Sequence, residues 1–367
     1  MAEIQLQRVG KSYDGKTMAV RDLDLHCPQG EMLALLGPSG CGKSSTLKMV
    51  AGIEPISSGA ILFDGVDVSR QGSAARNVAM VFEDYSLYPH MSTYDNIAFP
   101  LRIRGTPHNE LKKRVDGVVA MLGLGDLLAE PVRSLSGGAQ QRVSIGRALV
   151  RDPALVMFDE PLSHLDADQK VMLRTEIRRL QTTAGLTSVL VTHDQTEAMA
   201  MADRIAVMSQ GLLQQVGSPE ALYHAPANLF VAGFIGESPM NFFAAVHTGS
   251  QLALRDLPGC ALALDRLDLQ AHAQDITLGI RPEDIVIGAA ATGTDALPLQ
   301  VRVLDRECCG DRDVLRVAAG EVVFHIEQPA PCAVRPGDVL PCGLPLSRLH
   351  AFDTASGRSL GARRSAC

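Results

Sequence analysis

Apolar residues along this chain fall in short runs, and the rhythm of the runs changes once. Over residues 1 to about 235, Val-, Leu- and Met-rich segments alternate with stretches whose apolar positions recur every three or four residues. Glu31–Leu36, Asn77–Phe82, Ala154–Phe158 and Ser188–Thr192 are the apolar runs. Short, almost wholly apolar strands separated by helical patterns predict a parallel sheet covered on both faces. Lys43 to Ala51 has helical character, with Gly52 as its stop. A mostly helical stretch from about 87 to 150 interrupts the series. In it Thr106-Pro107 predicts an N-cap followed by proline at the first helical position, and Gly123 a stop.

From about 236 the period shortens. Asn241–Thr248, Gln274–Ile280, Leu297–Leu304, Asp313–Val317 and Glu321–Ile326 read as short strands separated by Gly, Pro and Asp. This predicts a small all-β second domain, closed as a barrel. The last ten residues, with Arg358, Arg363 and Arg364, read as a loose tail.

Length and charge narrow the picture. A chain of 367 residues can hold two cores. The net charge of −7 argues against nucleic acid as the main partner. No apolar run approaches the roughly 18 residues needed to span a bilayer, and the N-terminus lacks a secretory pattern. The expected location is therefore cytoplasmic. Eight cysteines form no paired CxxC arrangement, so free thiols are expected rather than a zinc site.

The chemistry lies at strand ends. Gly37-Pro38-Ser39-Gly40-Cys41-Gly42-Lys43-Ser44 fits GxxxxGK[ST] between a predicted strand and a predicted helix. Its glycines let backbone N–H groups converge on phosphate oxygens, and the helix N-terminus adds positive potential. Lys43 is expected to reach the β- and γ-phosphates and Ser44 to hold Mg²⁺. Cys41, inside the loop, is expected to be a small space-filling residue. Leu155–Asp159 is an apolar strand ending in a carboxylate that can hold Mg²⁺. Glu160 follows where a base could take a proton from water. Ser136 is a natural N-cap for a helix over Gln140–Val150, and Gly137 and Gly138 leave its N–H groups open to an anion. His193 ends the Val189–Thr192 run, close to the other strand ends, where it could contact the γ-phosphate.

With these residues in this order the chain resembles the ATP-binding-cassette family over essentially its whole length. Gly37–Ser44 matches the family's Walker A motif, Leu155–Glu160 its Walker B, and Leu135–Gly138 its signature sequence. Ser163–Asp166 matches the D-loop and His193 the switch histidine. Glu83–Met91, Gly233–Gly236, Met240–Phe242 and Gly279–Asp284 resemble the branch serving carbohydrate importers, the maltose-transporter ATPase type. The resemblance implies an α/β P-loop NTPase domain over 1–235, with a helical subdomain at about 87–150. It also implies an all-β, oligonucleotide-binding-type (TOBE-like) regulatory domain over 236–367. It implies that Tyr13 stacks on adenine and that Ser45 and Asp166 join the nucleotide site. Glu83, in the segment facing membrane partners, is implied to be catalytic and a metal ligand. Two ATPase subunits, alike or different, would sandwich ATP and Mg²⁺ head to tail. They would drive two membrane-spanning permease subunits and, indirectly, an extracytoplasmic solute-binding protein. The chain would sit peripherally on the cytoplasmic face of a bacterial inner membrane.

Two positions depart from the family pattern. The family usually has Gln where this chain has Glu83. One like charge at ~5 Å and an effective dielectric of ~20 costs roughly 3 kcal/mol before Mg²⁺ offsets it, so a changed metal affinity or protonation is expected there. Ala139 stands where the signature usually has Gln. It keeps the Ser136 cap and loses the reciprocal capping-box bond, a cost below ~1 kcal/mol. The leading expectation is the ATPase of a carbohydrate, polyol or glycerol-phosphate importer. The alternative cargo is iron, sulfate, molybdate or polyamine. A soluble cassette ATPase acting on ribosomes or DNA would bring a second cassette or a coiled-coil insertion, and intact Lys43, Asp159, Glu160 and His193 argue against a non-hydrolysing subunit.

Overall fold

A computed structural model of the chain describes residues 1–163, 165–257, 259–263, 275–288, 291 and 295–361. His164, within the Ser163–Asp166 match, and Gln274, Arg363 and Arg364 lie outside the described residues. The chain divides into two compact units, Met1–Pro219 and Glu220–Cys367. The division falls before the expected boundary near 235, because the short helices after Pro219 pack with the second unit.

In the first unit the elements run β1 (Ile4–Ser12), β2 (Met18–Cys27), β3 (Met32–Leu36), α1 (Lys43–Val50), β4 (Ser58–Phe63), β5 (Val66–Asp67), α2 (Ser73–Arg76) and β6 (Val78–Val81). Then come α3 (Thr93–Ile103), α4 (His108–Leu122), α5 (Gly137–Leu149), β7 (Leu155–Asp159), α6 (Ala167–Thr183), β8 (Ser188–Thr192), α7 (Gln195–Met201), β9 (Arg204–Ser209) and β10 (Leu212–Gly217). Among the described residues one sheet has the order β10-β9-β3-β8-β7-β6. Its β9-β3, β3-β8, β8-β7 and β7-β6 pairs are parallel, and β10 closes one edge antiparallel. Every residue of β3 and β8 is buried, as strands covered on both faces require.

A second sheet, β2-β1-β4-β5, was not foreseen. It is antiparallel, and its strands alternate buried and exposed positions, with Leu23, Leu25 and Cys27 of β2 turned inward. That two-residue period, visible in the sequence, marks half-buried antiparallel strands rather than members of a parallel sheet. Ile4, Leu23 and Ile61 of this sheet share one core with Leu35, Leu47, Met157 and Val191.

The helix stops fall as read, with Gly52 and Gly123 in the left-handed region at φ +70° and +60°. The start of α4 differs from the expectation. Pro107 itself is the N-cap, its carbonyl accepting from Leu111 N at 2.9 Å, while Thr106 N closes the end of the preceding helix on Leu101 O.

The second unit opens with α8 (Pro219–His224) and α9 (Leu229–Phe234). It continues through β11 (Asn241–Thr248), β12 (Gln251–Leu254), β13 (Ala261–Ala263), β14 (Asp275–Ile280), β15 (Val286–Ile287), β16 (Ala296–Cys308), β17 (Arg312–Ala319), β18 (Val322–Pro329), β19 (Val339–Pro345) and β20 (His350–Asp353). In place of one barrel, the described strands form two antiparallel sheets, β13-β12-β11-β14-β20 and β15-β19-β16-β17-β18. Their inward residues meet in one core that includes Phe243, Ile276, Leu299, Leu315, Phe324 and Ile326. Along β16, Leu297, Leu299, Val301 and Val303 point in while Pro298, Gln300, Arg302 and Leu304 point out.

Candidate nucleotide site

The Gly37–Gly42 loop leaves the C-terminal end of β3 and opens α1. Gly40 and Gly42 have φ of +77° and +106°, a region costly for any residue with a Cβ. A Cβ on Gly37 would stand 2.2 Å from Met208 O, and one on Gly42 2.6 Å from Ala19 O. The loop therefore lies tight against β9 and the start of β2. Lys43 is buried, and its Nζ donates to Gly37 O at 2.7 Å and Pro38 O at 3.1 Å, two contacts that a phosphate could replace. Cys41 is buried beneath the loop, its Sγ 3.8 Å from Lys43 Nζ.

Parallel pairing of β7 with β8 aligns their C-terminal ends, with Asp159 opposite Val191. Glu160 follows at φ +47°, a backbone conformation that a non-glycine residue holds only when its surroundings demand it. Those surroundings are on hand. Glu160 N donates to Val191 O at 2.9 Å, and Glu160 Oε2 lies 3.0 Å from His193 Nδ1. Burial pushes the Asp159 carboxyl above the usual carboxylate range. The charges of Glu160 and Glu83 push the same way, and Lys48 and Lys43 oppose them. Glu83 Oε1 in turn accepts from Ser163 Oγ at 2.8 Å.

This all-oxygen donor set suits a hard divalent cation. A partly buried carboxylate whose ionisation is opposed by two like charges is relieved by a cation, and the Ser44 hydroxyl begins the neighbouring helix. Among the described residues no three His, Cys, Asp or Glu groups form a metal cage.

Ser136 caps α5, its Oγ accepting from Ala139 N at 3.4 Å. Ala139 has no side chain to make the reciprocal bond; beside it, Gln140 Nε2 donates to Val132 O and Leu135 O, both at 3.1 Å, and ties the start of α5 to the segment before it. Among the described residues, Ser136–Gly138 and Gly37–Ser44 share no hydrogen bond within the chain. Gly137 instead faces Leu165, which would lie 3.1 Å from an added Cβ. Asp166 caps α6, accepting from Gln169 N at 2.8 Å. Tyr13 is 59% exposed, open to a flat ligand, and its hydroxyl donates to Ser45 Oγ at 3.1 Å.

The segment after Glu83 is strained and tied down. Tyr85 and Ser86 have φ of +59° and +46°. Arg147 donates to Tyr85 O at 2.9 Å and Ser86 O at 2.5 Å, and Ser144 Oγ to Tyr85 O at 3.0 Å. Beside it opens a groove of about 690 Å³ walled by Phe82, Tyr88, Phe99 and Ile103. Its charged lining residues are Arg104, Arg147 and Arg151.

Sequence reasoning missed three supports of this site. Lys11 Nζ sits 4.7 Å over the Tyr13 ring while donating to Glu54 Oε2 at 2.9 Å and Pro55 O at 2.8 Å. Its place two residues before Tyr13, at the end of β1, was the available signal. Arg147 offered none, because its partners are backbone carbonyls. Neither did the tie that Thr192 Oγ1 makes to the buried Glu197, donating to Oε2 at 2.8 Å next to His193.

Residues 20–163 match the ABC transporter family model and residues 278–352 the TOBE domain model. A sn-glycerol-3-phosphate import ATP-binding protein of Chromohalobacter salexigens is 44% identical over 98% of this chain and 96% of its own length. A trehalose/maltose import ATP-binding protein of Thermococcus litoralis is 42% identical over 98% of this chain and 100% of its own. A xylose/arabinose import ATP-binding protein of Haloferax volcanii is 42% identical over 98% and 96%. Among solved structures, cbiO1 of Clostridium perfringens, described as part of an ABC transporter complex, superposes with a TM-score of 0.56 and 29% identity. It covers 60% of this chain and 89% of that one.

Proposed function

This chain belongs to the ABC transporter family, and we propose that it is the ATP-hydrolysing subunit of an importer for a carbohydrate, polyol or glycerol-phosphate. It is an ATPase coupled to transport, turning ATP and water into ADP and phosphate within a transporter complex that includes membrane permeases. The observation that carries the reading is the convergence of three strand ends. The Gly37–Ser44 loop leaves β3, Asp159-Glu160 ends β7, and His193 follows β8, in a chain 44% identical to an import ATP-binding protein.

In this reading Lys43 exchanges its bonds to Gly37 O and Pro38 O for the β- and γ-phosphate oxygens. Tyr13, steadied by Lys11 and Ser45, stacks on adenine. Ser44 and Asp159, with Glu83 nearby, would hold Mg²⁺, which when bound offsets the negative charge shared by phosphates and carboxylates. Glu160 takes the proton of the attacking water as that water's oxygen bonds the γ-phosphorus and the bond to the β-phosphate oxygen breaks. The electron pair leaves with ADP. His193, at 3.0 Å, keeps the Glu160 carboxylate aimed.

The site is half complete in one chain. A second copy, or a related ATPase, would close it with Ser136–Gly138 of the partner subunit. Its cap geometry leaves helix N–H groups open to the γ-phosphate. The aromatic groove beside Glu83–Met91 is where a permease would dock, and its arginines suit an acidic, amphipathic segment. Among the described residues no helix is long and apolar enough to cross a membrane, so the chain would attach peripherally, on the cytoplasmic face. The two units would serve as nucleotide-binding and regulatory domains.

The test is reconstitution with the co-purified permeases and a solute-binding protein. A panel of sugars, polyols and glycerol-phosphate should stimulate hydrolysis and uptake. Stimulation by iron, sulfate, molybdate or polyamine instead would move the cargo to that class.

A further inference from the structure

Ser163, the first residue of the segment matched to the D-loop, sits between two segments that the sequence pattern leaves apart, Glu83 and Glu160. Its Oγ is 2.8 Å from Glu83 Oε1 and 3.1 Å from the Glu160 carbonyl oxygen, and its N–H reaches that same carbonyl at 3.4 Å. A hydroxyl has one proton to donate. The carboxylate is nearer and is the stronger acceptor, so Glu83 accepts the hydroxyl's hydrogen bond, and the Glu160 carbonyl keeps a long bond from Ser163 N. Glutamine at position 83 could either accept from Ser163 or donate to it, whereas a carboxylate can only accept. The departure at Glu83 thus fixes the direction of the Ser163 hydroxyl.

The two ends of this path are both strained. Glu160 sits at φ +47°, and the stretch from Glu83 continues into Tyr85 and Ser86 at φ +59° and +46°. Backbone held in such regions depends on its neighbours, so a small shift at one end is felt at the other. Were the segment after Glu83 displaced, the Ser163 hydroxyl would be released to the Glu160 carbonyl. The turn Glu160–Ser163 would tighten, and the base would be re-aimed.

We propose that Ser163 is a positioning residue. Its hydroxyl links Glu83, in the segment read as facing the permeases, to the backbone that sets the Glu160 base, all within one subunit. The proposal rests on the reading of this chain as a permease-coupled ATPase.

The test uses the full complex with its permeases in proteoliposomes. Ser163→Ala should lower the permease-stimulated kcat about tenfold while the KM for MgATP stays within about twofold. Ser163→Thr, which keeps the hydroxyl, should restore most of the rate. Glu83→Ala should cost much less in the Ser163→Ala background than alone, because both remove the same tie. A thermal midpoint close to wild type guards against a folding defect. Full stimulation of Ser163→Ala, equal loss in Ser163→Thr, or additive losses in the double variant overturns the proposal and leaves the assigned function standing. Wild-type complex that permeases fail to stimulate overturns both.

Discussion

Two motifs, one in each unit, have opposite physical status. In the first unit Glu160 is strained and His193 is 58% exposed at its side chain, both at strand ends that open to solvent. In the second unit Arg281, from the Gly279–Asp284 motif, is 1% exposed. Its Nη1 donates to Ile235 O at 2.7 Å, its Nη2 to Tyr223 O at 2.7 Å, and its guanidinium lies 3.6 Å over the Tyr223 ring. The first motif holds chemistry ready for a ligand, and the second pins the α8–α9 segment to the β unit. Both stand out equally in the sequence. Only burial and partners tell a reactive residue from a structural one.

The largest expected effect breaks the first motif and spares the second. Glu160→Gln keeps the size and the hydrogen bond toward His193 and loses the base, so turnover should fall roughly a thousandfold. Nucleotide binding should persist, and the ATP-bound dimer should accumulate, as read by size exclusion with MgATP. Rapid hydrolysis by this variant would remove Glu160 from the base role. Next in size is Arg281→Ala, which removes the guanidinium donors from the Tyr223 carbonyl and the buried Ile235 carbonyl. It should cost about 3 kcal/mol in denaturant unfolding, with ATP affinity close to wild type. Arg281→Lys should recover little, because one ammonium cannot reproduce a planar fork stacked on a ring. A large loss of ATP affinity in Arg281→Ala would make the contrast between the two motifs false.

The same contrast explains what could be read from the sequence. That Gly37–Ser44 follows β3, that Asp159-Glu160 ends β7 and that His193 follows β8 was legible, because chemistry at strand ends needs particular residue types at particular spacings. Strands buried on both faces were legible because β3 and β8 are continuous apolar runs. The antiparallel sheet of β1, β2, β4 and β5 was not foreseen, because its alternating Leu23-Asp24-Leu25-His26-Cys27 pattern is a weaker signal than the continuous apolar runs of the same unit. The Ser163–Glu83 contact spans 80 residues and depends on two loops meeting, which no local pattern encodes. Arg147 was invisible for a related reason: its partners are the Tyr85 and Ser86 carbonyls, and any residue offers a carbonyl.

A third, smaller effect sharpens the comparison inside the first unit. Glu83→Gln retains an oxygen that can accept from Ser163 Oγ, so kcat should change only about two- to threefold. It removes one negative charge beside Asp159, whose ionisation that charge opposes. The Mg²⁺ concentration for half-maximal hydrolysis should therefore shift by a few-fold. Titrating hydrolysis against Mg²⁺ at fixed ATP checks this, and superimposable curves would show that the departure at position 83 is electrostatically silent.

The smallest expected effect lies behind His193. Glu197 is 2% exposed, and burial pushes its carboxyl above the usual range; the Asp194 charge adds to this, while the Thr192 bond and Lys170 oppose it. A carboxyl whose folded pKa is raised holds its proton more tightly in the folded state. Its contribution is fully present below the ordinary glutamate value of about 4.3 and is lost as pH rises through the raised value. Glu197→Gln replaces the group with an amide that never ionises and can still accept from Thr192 Oγ1. The stability of the variant should therefore fall less than that of wild type as pH is raised across that window, when the two unfolding midpoints are compared at each pH. The replacement also gives up the ion pair with Lys170 at 3.5 Å, while the Lys170–Asp194 contact at 3.6 Å remains, so part of the gain is offset at neutral pH. Parallel midpoint curves would mean that Lys170 cancels the cost of burying Glu197. That would make the strand end behind His193 a satisfied structural motif of the same kind as Arg281.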